Sequence, residues 1–134
     1  MTAASRGLLD TGVLIAAESG RPLDTNALPD EVFISVVTIT ELQAGVLAAA
    51  DTPTRARRLA TLDSVSGLDA LPIDIVAAGH WATLRVRLAE EGRRINVNDL
   101  WIAAVPAAND LSVVTQDSEY DPLETIGGPH MIRI

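Results

Sequence analysis

Four short apolar runs, GLL at residues 7–9, VFISVV at 32–37, LSVVT at 111–115 and HMIRI at 130–134, are separated by segments long enough to hold helices. Runs of this length, rich in branched aliphatic residues and bounded by turn formers, predict buried strands. Strands alternating with helices mean βαβ units, because neighbouring parallel strands need a crossover that a helix supplies. The expected fold is therefore α/β, with a central, mostly parallel sheet flanked by helices. At 134 residues the chain has the size of one domain with a single core, and no repeat, linker or low-complexity tract divides it. Residues 1–134 read as one domain.

The helices announce themselves by their caps. VLIAAES follows the first strand, and GRPLDTNALPD at 20–30 is a loop of turn formers. ITELQAGVLAAA follows VFISVV as a helix with Glu41 in its first turn. Pro53 opens a helix that Gly67 closes, and LDALPI is a short strand or link. Asp74 caps a long helix that carries Ala77, Trp81, Leu84 and Leu88 on one face and ends at Gly92. NDLWIAAVPAAND is another helix, interrupted by Pro106. A proline inside a regular helix costs about 3 kcal/mol, so a kink or an early end near Val105 is expected. QDSEYDPLETIGGP is an acidic turn region.

Charge narrows the chemistry. The net charge is −8, and all ten basic residues are arginine. A chain without lysine has no Walker-A lysine, no Schiff-base lysine and no lysine of a receiver domain. With no cysteine there is neither a disulfide framework nor a thiolate metal site, which fits a cytoplasmic protein. Asp10 interrupts the apolar start of the chain where a signal peptide would have its hydrophobic core. Glu41 and Gln43 spoil the longest apolar stretch as a membrane span. The acidic balance disfavours simple electrostatic binding of nucleic acid, unless cations neutralise a carboxylate cluster locally.

Such a cluster is what the acids suggest. Asp10 follows the first strand, Glu41 opens the helix after the second, Asp99 opens the NDLWIAA helix, and Asp117 follows LSVVT. In an open parallel sheet, ligands bind beyond the carboxyl ends of the strands, at the point where the strand order reverses. Each acid also has a plainer reading. Asp10 and Asp99 fit helix N-caps, Thr38 and Glu41 have the spacing of a capping box, and Asp117 fits a turn. Helix dipoles stabilise such carboxylates only in part, so four together require a counter-cation. An all-oxygen set with no Cys and only two His selects Mg²⁺ or Mn²⁺ over zinc. The chemistry implied is phosphodiester hydrolysis. A phosphotransfer role with Asp10 as nucleophile lacks the D-x-D pattern and a lysine partner.

The segments LLDTGVLIA, SVVTITELQAG, INVNDLWIAA and VVTQDSEY, in this order and at these spacings, resemble the PIN-domain ribonuclease toxins of VapC type from bacterial VapBC toxin–antitoxin systems. The resemblance covers essentially the whole chain. It implies a single PIN-like domain whose metal-site acids match Asp10, Glu41, Asp99 and Asp117, with Thr11, Asn98 and Thr115 in support. It further implies a Mg²⁺- or Mn²⁺-dependent endoribonuclease that cuts structured RNA such as tRNA or rRNA. Dimerisation and inhibition by a cognate VapB-type antitoxin belong to the same expectation. One departure is Gly12, where the family commonly places Asn or Ser after the D-T pair. It is the main support for an alternative reading as a catalytically weakened, protein-binding module.

Arg93 and Arg94 precede Asn98 and Asp99 in a loop, and guanidinium geometry suits phosphate, so they are candidate RNA contacts. The competing reading is a solvated helix C-terminus. Arg55, Arg57 and Arg58 read as an exposed helix face. Trp101 lies in a nearly all-apolar helix, which points to burial or a dimer interface rather than base stacking. The alanine-rich helices between residues 38 and 66 offer an apolar surface for an antitoxin segment.

Overall fold

The computed structural model describes residues 5–134. Five strands, β1 (Arg6–Leu9), β2 (Glu31–Ser35), β3 (Ala70–Leu71), β4 (Ser112–Thr115) and β5 (Met131–Arg133), form one sheet in the order β3-β2-β1-β4-β5. Every pairing is parallel, with Leu8 opposite Phe33 on one side and Val113 on the other. The chain first winds outward from β1 through β2 to β3, then crosses back to β4 on the opposite side of β1. The order reverses between β1 and β4, which is where such a sheet opens its crevice.

Period-two alternation divides the core between the two faces. Leu8 and Val113 join the cluster built with Leu84, Leu88, Leu100 and Ile102 of helices α4 (Ile75–Glu90) and α5 (Val97–Ala108). Their neighbours Leu9 and Val114 join Val13 and Leu14 of α1 (Thr11–Glu18) on the other face. Two further helices, α2 (Val36–Ala48) and α3 (Thr52–Ser64), link β2 to β3, and the short α6 (Asp121–Glu124) precedes β5. Among the described residues, no helix is long and apolar enough to cross a membrane.

Caps set most boundaries. Asp74 Oδ1 accepts the Ala77 amide at 2.9 Å, and Asp51 Oδ1 accepts that of Thr54 at 2.8 Å. α4 closes in a Schellman motif, with Gly92 at φ 69° and bonds from Gly92 N to Ala89 O and from Arg93 N to Leu88 O. The same closure recurs at the end of α1, with Gly20 at φ 74°.

Five expectations need correction. The strand at VFISVV stops at Ser35, whose hydroxyl accepts the amides of Val37 and Thr38, so α2 begins at Val36 despite two consecutive valines. The cap outweighs local β-propensity. Ser35 rather than Thr38 is therefore the N-cap, no Thr38–Glu41 capping box exists, and Glu41 falls beyond the first turn. α3 stops at Ser64, before Gly67. α5 does not end near Val105 but runs through Pro106 to Ala108. Pro106 lies in the last turn, so few bonds depend on it. The Asn109 side-chain amide donates to Val105 O at 2.8 Å, supplying a partner to that carbonyl. Trp101 is half-buried and stacks on Trp81 of α4, ring centroids 5.2 Å apart.

Candidate active site

The crevice between β1 and β4 collects the acids. Asp10 is the N-cap residue of α1 by backbone conformation, yet its side chain makes no capping hydrogen bond. It is 5% exposed and turns to hydroxyls instead. Thr115 Oγ1, at the end of β4, donates to Asp10 Oδ2 at 2.9 Å, and the Tyr120 hydroxyl lies 3.3 Å from Asp10 Oδ1. That hydroxyl is also 3.2 Å from Asp99 Oδ1. One phenol proton thus serves two carboxylates.

Glu41 is held from another direction. Thr11 Oγ1 donates to Glu41 Oε1 at 2.8 Å. With its single proton committed, Thr11 accepts from Thr38 Oγ1 at 2.9 Å. Thr38, one of the buried polar residues, is thus a support for the D-T pair rather than a helix cap. Thr115 Oγ1 performs a second service by accepting the Asp117 amide at 2.9 Å, which ties Asp117 to Asp10 through one hydroxyl. Asp117 in turn caps a 3-10 turn, Ser118–Tyr120, accepting the Glu119 amide at 2.9 Å.

Electrostatics register the crowding. The Asp99 carboxyl is pushed up to about 6, first by burial, then by the charge of Asp10, with further contributions from Glu41 and Asp117. All four expected acids are therefore within electrostatic reach of one place. Burial also raises Asp10. The hydroxyls of Thr115 and Tyr120 and the nearby Gly12 amide oppose that rise, while Asp117 reinforces it. Tyr120 is raised by burial and by the two carboxylates, so it remains a hydroxyl and a donor.

Neutral hydroxyls are what this cluster has in place of counter-charge. The ion pairs among the described residues are Arg6–Glu31, His130–Glu124 and Arg133–Asp121, none of which involves the cluster. One oxygen each of Asp99, Asp117 and Glu119 lie within 4.8 Å of one another. An all-oxygen set without a basic partner fits a hard divalent cation. Gly12 leaves the Asp10 carboxylate uncrowded, since a Cβ there would sit 3.2 Å from Asp10 Oδ2.

Two contributors escaped the sequence reading. Glu119 and Tyr120 lie in the acidic turn region, and the 3-10 turn after β4 brings both to the crevice. Their signal was the spacing from Asp117, which alternation along an extended strand would not interpret. Asn98 stands beside Asp99 in the first turn of α5. Its amide donates to Asn96 Oδ1, and its exposed side chain makes no hydrogen bond among the described residues. Arg93 and Arg94 share a cleft with Glu119 and Pro122, on the α4–α5 side of the acids.

An open parallel sheet with carboxylates gathered where its order reverses defines the class: a PIN domain, whose family profile matches residues 7–124. Ribonuclease VapC5 of Mycobacterium tuberculosis is 53% identical over 133 residues, covering 99% of this chain and 98% of that protein. The crystal structure of VapBC-5 from the same organism superposes with a TM-score of 0.89 at 50% identity, over 97% of this chain and 99% of that one. The tRNA(fMet)-specific endonuclease VapC of Shigella flexneri is 30% identical over 126 residues, 90% of this chain and 92% of that protein. The chain belongs to the VapC ribonucleases of the PIN-domain family.

Proposed function

We propose that this protein is the toxin of a type II toxin–antitoxin pair and hydrolyses phosphodiester bonds in structured RNA, tRNA or rRNA, using Mg²⁺ or Mn²⁺ held by Asp10, Glu41, Asp99 and Asp117. The observation that carries the reading is the acidic cluster itself: carboxylates from four elements within electrostatic reach of one another, held by hydroxyl donors and in none of the ion pairs among the described residues. A bound divalent cation there supplies a water of lowered pKa and neutralises charge developing on the phosphate. Thr115 and Tyr120 hold Asp10 in a fixed orientation. Thr11 holds Glu41, and Thr115 positions the backbone of Asp117. Glu119 joins the ligand set on the solvent side. Asn98, exposed next to Asp99 in the first turn of α5, would serve substrate rather than cation.

The cognate partner is a VapB-type antitoxin and the assembly a homodimer, a reading supported by the kinship with VapBC-5. Leu47 of α2, 82% exposed, and Ile75 of α4, 89% exposed, are apolar side chains available to such contacts. The site of action is the cytoplasm, where RNA and antitoxin are both met.

The test is incubation of total RNA with purified, antitoxin-free protein in Mg²⁺ or Mn²⁺, with EDTA and Asp99→Asn as controls. Discrete fragments that need the metal and vanish in the variant are expected. Absence of cleavage by folded protein in both metals would overturn the enzymatic reading.

A further inference from the structure

Most arginines in this chain are spoken for. Arg6 and Arg133 are in ion pairs, and Arg55, Arg58 and Arg87 donate to the carbonyls of Ala49, Gly45 and Ile126. Arg85 lies over the Trp81 ring. Arg21, Arg57, Arg93 and Arg94 make no ion pair or side-chain hydrogen bond among the described residues, and all four are exposed, but Arg57 lies on α3 and lines neither cavity beside the acids. Two of them stand in the same local structure. Arg21 follows Gly20 at φ 74°, with bonds from Gly20 N to Ala17 O and from Arg21 N to Ala16 O. This is a Schellman closure of α1, matching the one that places Arg93 after Gly92 at the end of α4.

These arginines lie on different flanks of the acids. Arg21 lines a cavity of about 280 Å³ with Asp10, Gly12, Gln116 and Asp117. Arg93 and Arg94 line another of about 390 Å³ that includes Glu119. The Arg21 flank is also fastened, because Gln116 Nε2 donates to Pro22 O at 3.0 Å and so ties the loop to the end of β4. A rigid backbone closure fixes the point from which each guanidinium reaches, while the side chain itself still loses rotamer freedom on binding.

We infer that Arg21 on one side and Arg93 with Arg94 on the other form a two-sided clamp for the phosphates of an RNA strand lying across the acidic crevice, a role that rests on the ribonuclease reading above. In a chain of net charge −8, unpaired cations at the edges of an anionic site attract a polyanion there without neutralising the acids. The ligand chemistry is the sugar–phosphate backbone, so the clamp is indifferent to base identity.

The clamp makes a prediction that favourable placement of cations at helix C-termini does not. Each phosphate contact contributes about 0.7–0.9 to the slope of log affinity against log salt. Binding of fluorescein-labelled bulk tRNA is measured by anisotropy over a salt series in Mg²⁺, in an Asp99→Asn background that prevents cleavage. Cleavage by the Asp99-containing protein is followed in parallel. Arg21→Gln, Arg93→Gln and their combination are compared with Arg57→Gln on α3. Each clamp substitution is expected to weaken binding by at least about three-fold and to lower the slope by roughly one contact, with the double variant showing the product of the two losses. Arg57→Gln changes neither. An unchanged slope for Arg21→Gln, with or without a fall in Tm, overturns the clamp while leaving the ribonuclease reading intact. So does intact tRNA binding accompanied by lost affinity for a polypeptide partner. If the parent protein neither binds nor cleaves RNA, the ribonuclease reading falls and the clamp falls with it.

Discussion

Asp99 has a carboxyl whose proton affinity is raised first by burial and then by its acidic neighbours, and that gives the metal-free protein an unusual pH response. Below its ordinary value of 3.8 the group is protonated in folded and unfolded chains alike, and no penalty arises. Above about 6 it is ionised in both, and the folded state bears the full unfavourable interaction. The contribution of Asp99 to stability is thus present below pH 4 and lost as the pH rises through 6. In EDTA, Asp99→Asn should therefore melt at a higher temperature than the parent at pH 7.5, with the gap narrowing toward pH 4.5. Relief of even ~1 kcal/mol moves Tm by roughly 3–5 °C in a domain of this size. The same variant abolishes cleavage. A lower Tm for the variant at pH 7.5 would mean that the carboxylate is stabilising and the cluster is not repulsive. Tyr120→Phe tests the shared donor. It removes the one hydroxyl among the described residues that reaches both Asp10 and Asp99, and a fall of about ten-fold or more in kcat/KM is expected, a loss of about 1.4 kcal/mol in transition-state stabilisation.

Two N-caps separate what an element owes to itself from what the site owes to it. Asp74 caps α4 from the surface, and replacing it with Ala should cost about 1 kcal/mol of stability with kcat/KM unchanged. Ser35 caps α2 from a fully buried position and fixes where that helix begins, hence where Thr38 and Glu41 stand. Ser35→Ala should cost as much or more in Tm and also reduce cleavage, because Thr38 and Glu41 both meet Thr11. Equal activity in the two variants would show that the placement of Glu41 does not depend on its cap. The contrast also marks what the sequence could disclose. Asp74 precedes an amphipathic run, so its role was readable from spacing. Ser35 sits among β-branched residues that look like strand on both sides, and only the buried tertiary position of its hydroxyl decides the boundary. The acids Asp10, Asp99 and Asp117 were legible because each follows or opens a recognisable element. Glu119 and Tyr120 were not, because a 3-10 turn has too few residues to impose a period.

At the scale of the whole molecule, fold and charge pull in opposite directions. The reversal of strand order brings β1 and β4 side by side and leaves Asp10 and Thr115 facing each other across 105 residues of chain. Hydrophobic clusters on both faces of the sheet hold that arrangement, although the carboxylates it gathers repel one another. A ligand that binds the folded crevice and not the dispersed acids of the unfolded chain must therefore stabilise the protein by mass action. At a hundred-fold excess of free cation over its Kd, the gain is ~2.7 kcal/mol, enough to raise Tm by roughly 10 °C. Thermal melts in Mn²⁺ or Mg²⁺ against EDTA check this directly, with Ca²⁺ as a test of size selectivity. The rise should be reversed by chelation, and it should shrink strongly in Asp10→Asn and Asp99→Asn. It should persist in Arg21→Gln, whose cation lies at the rim and not among the acids. A rise of equal size in every variant would place the cation elsewhere on a chain that carries eighteen acidic residues in all.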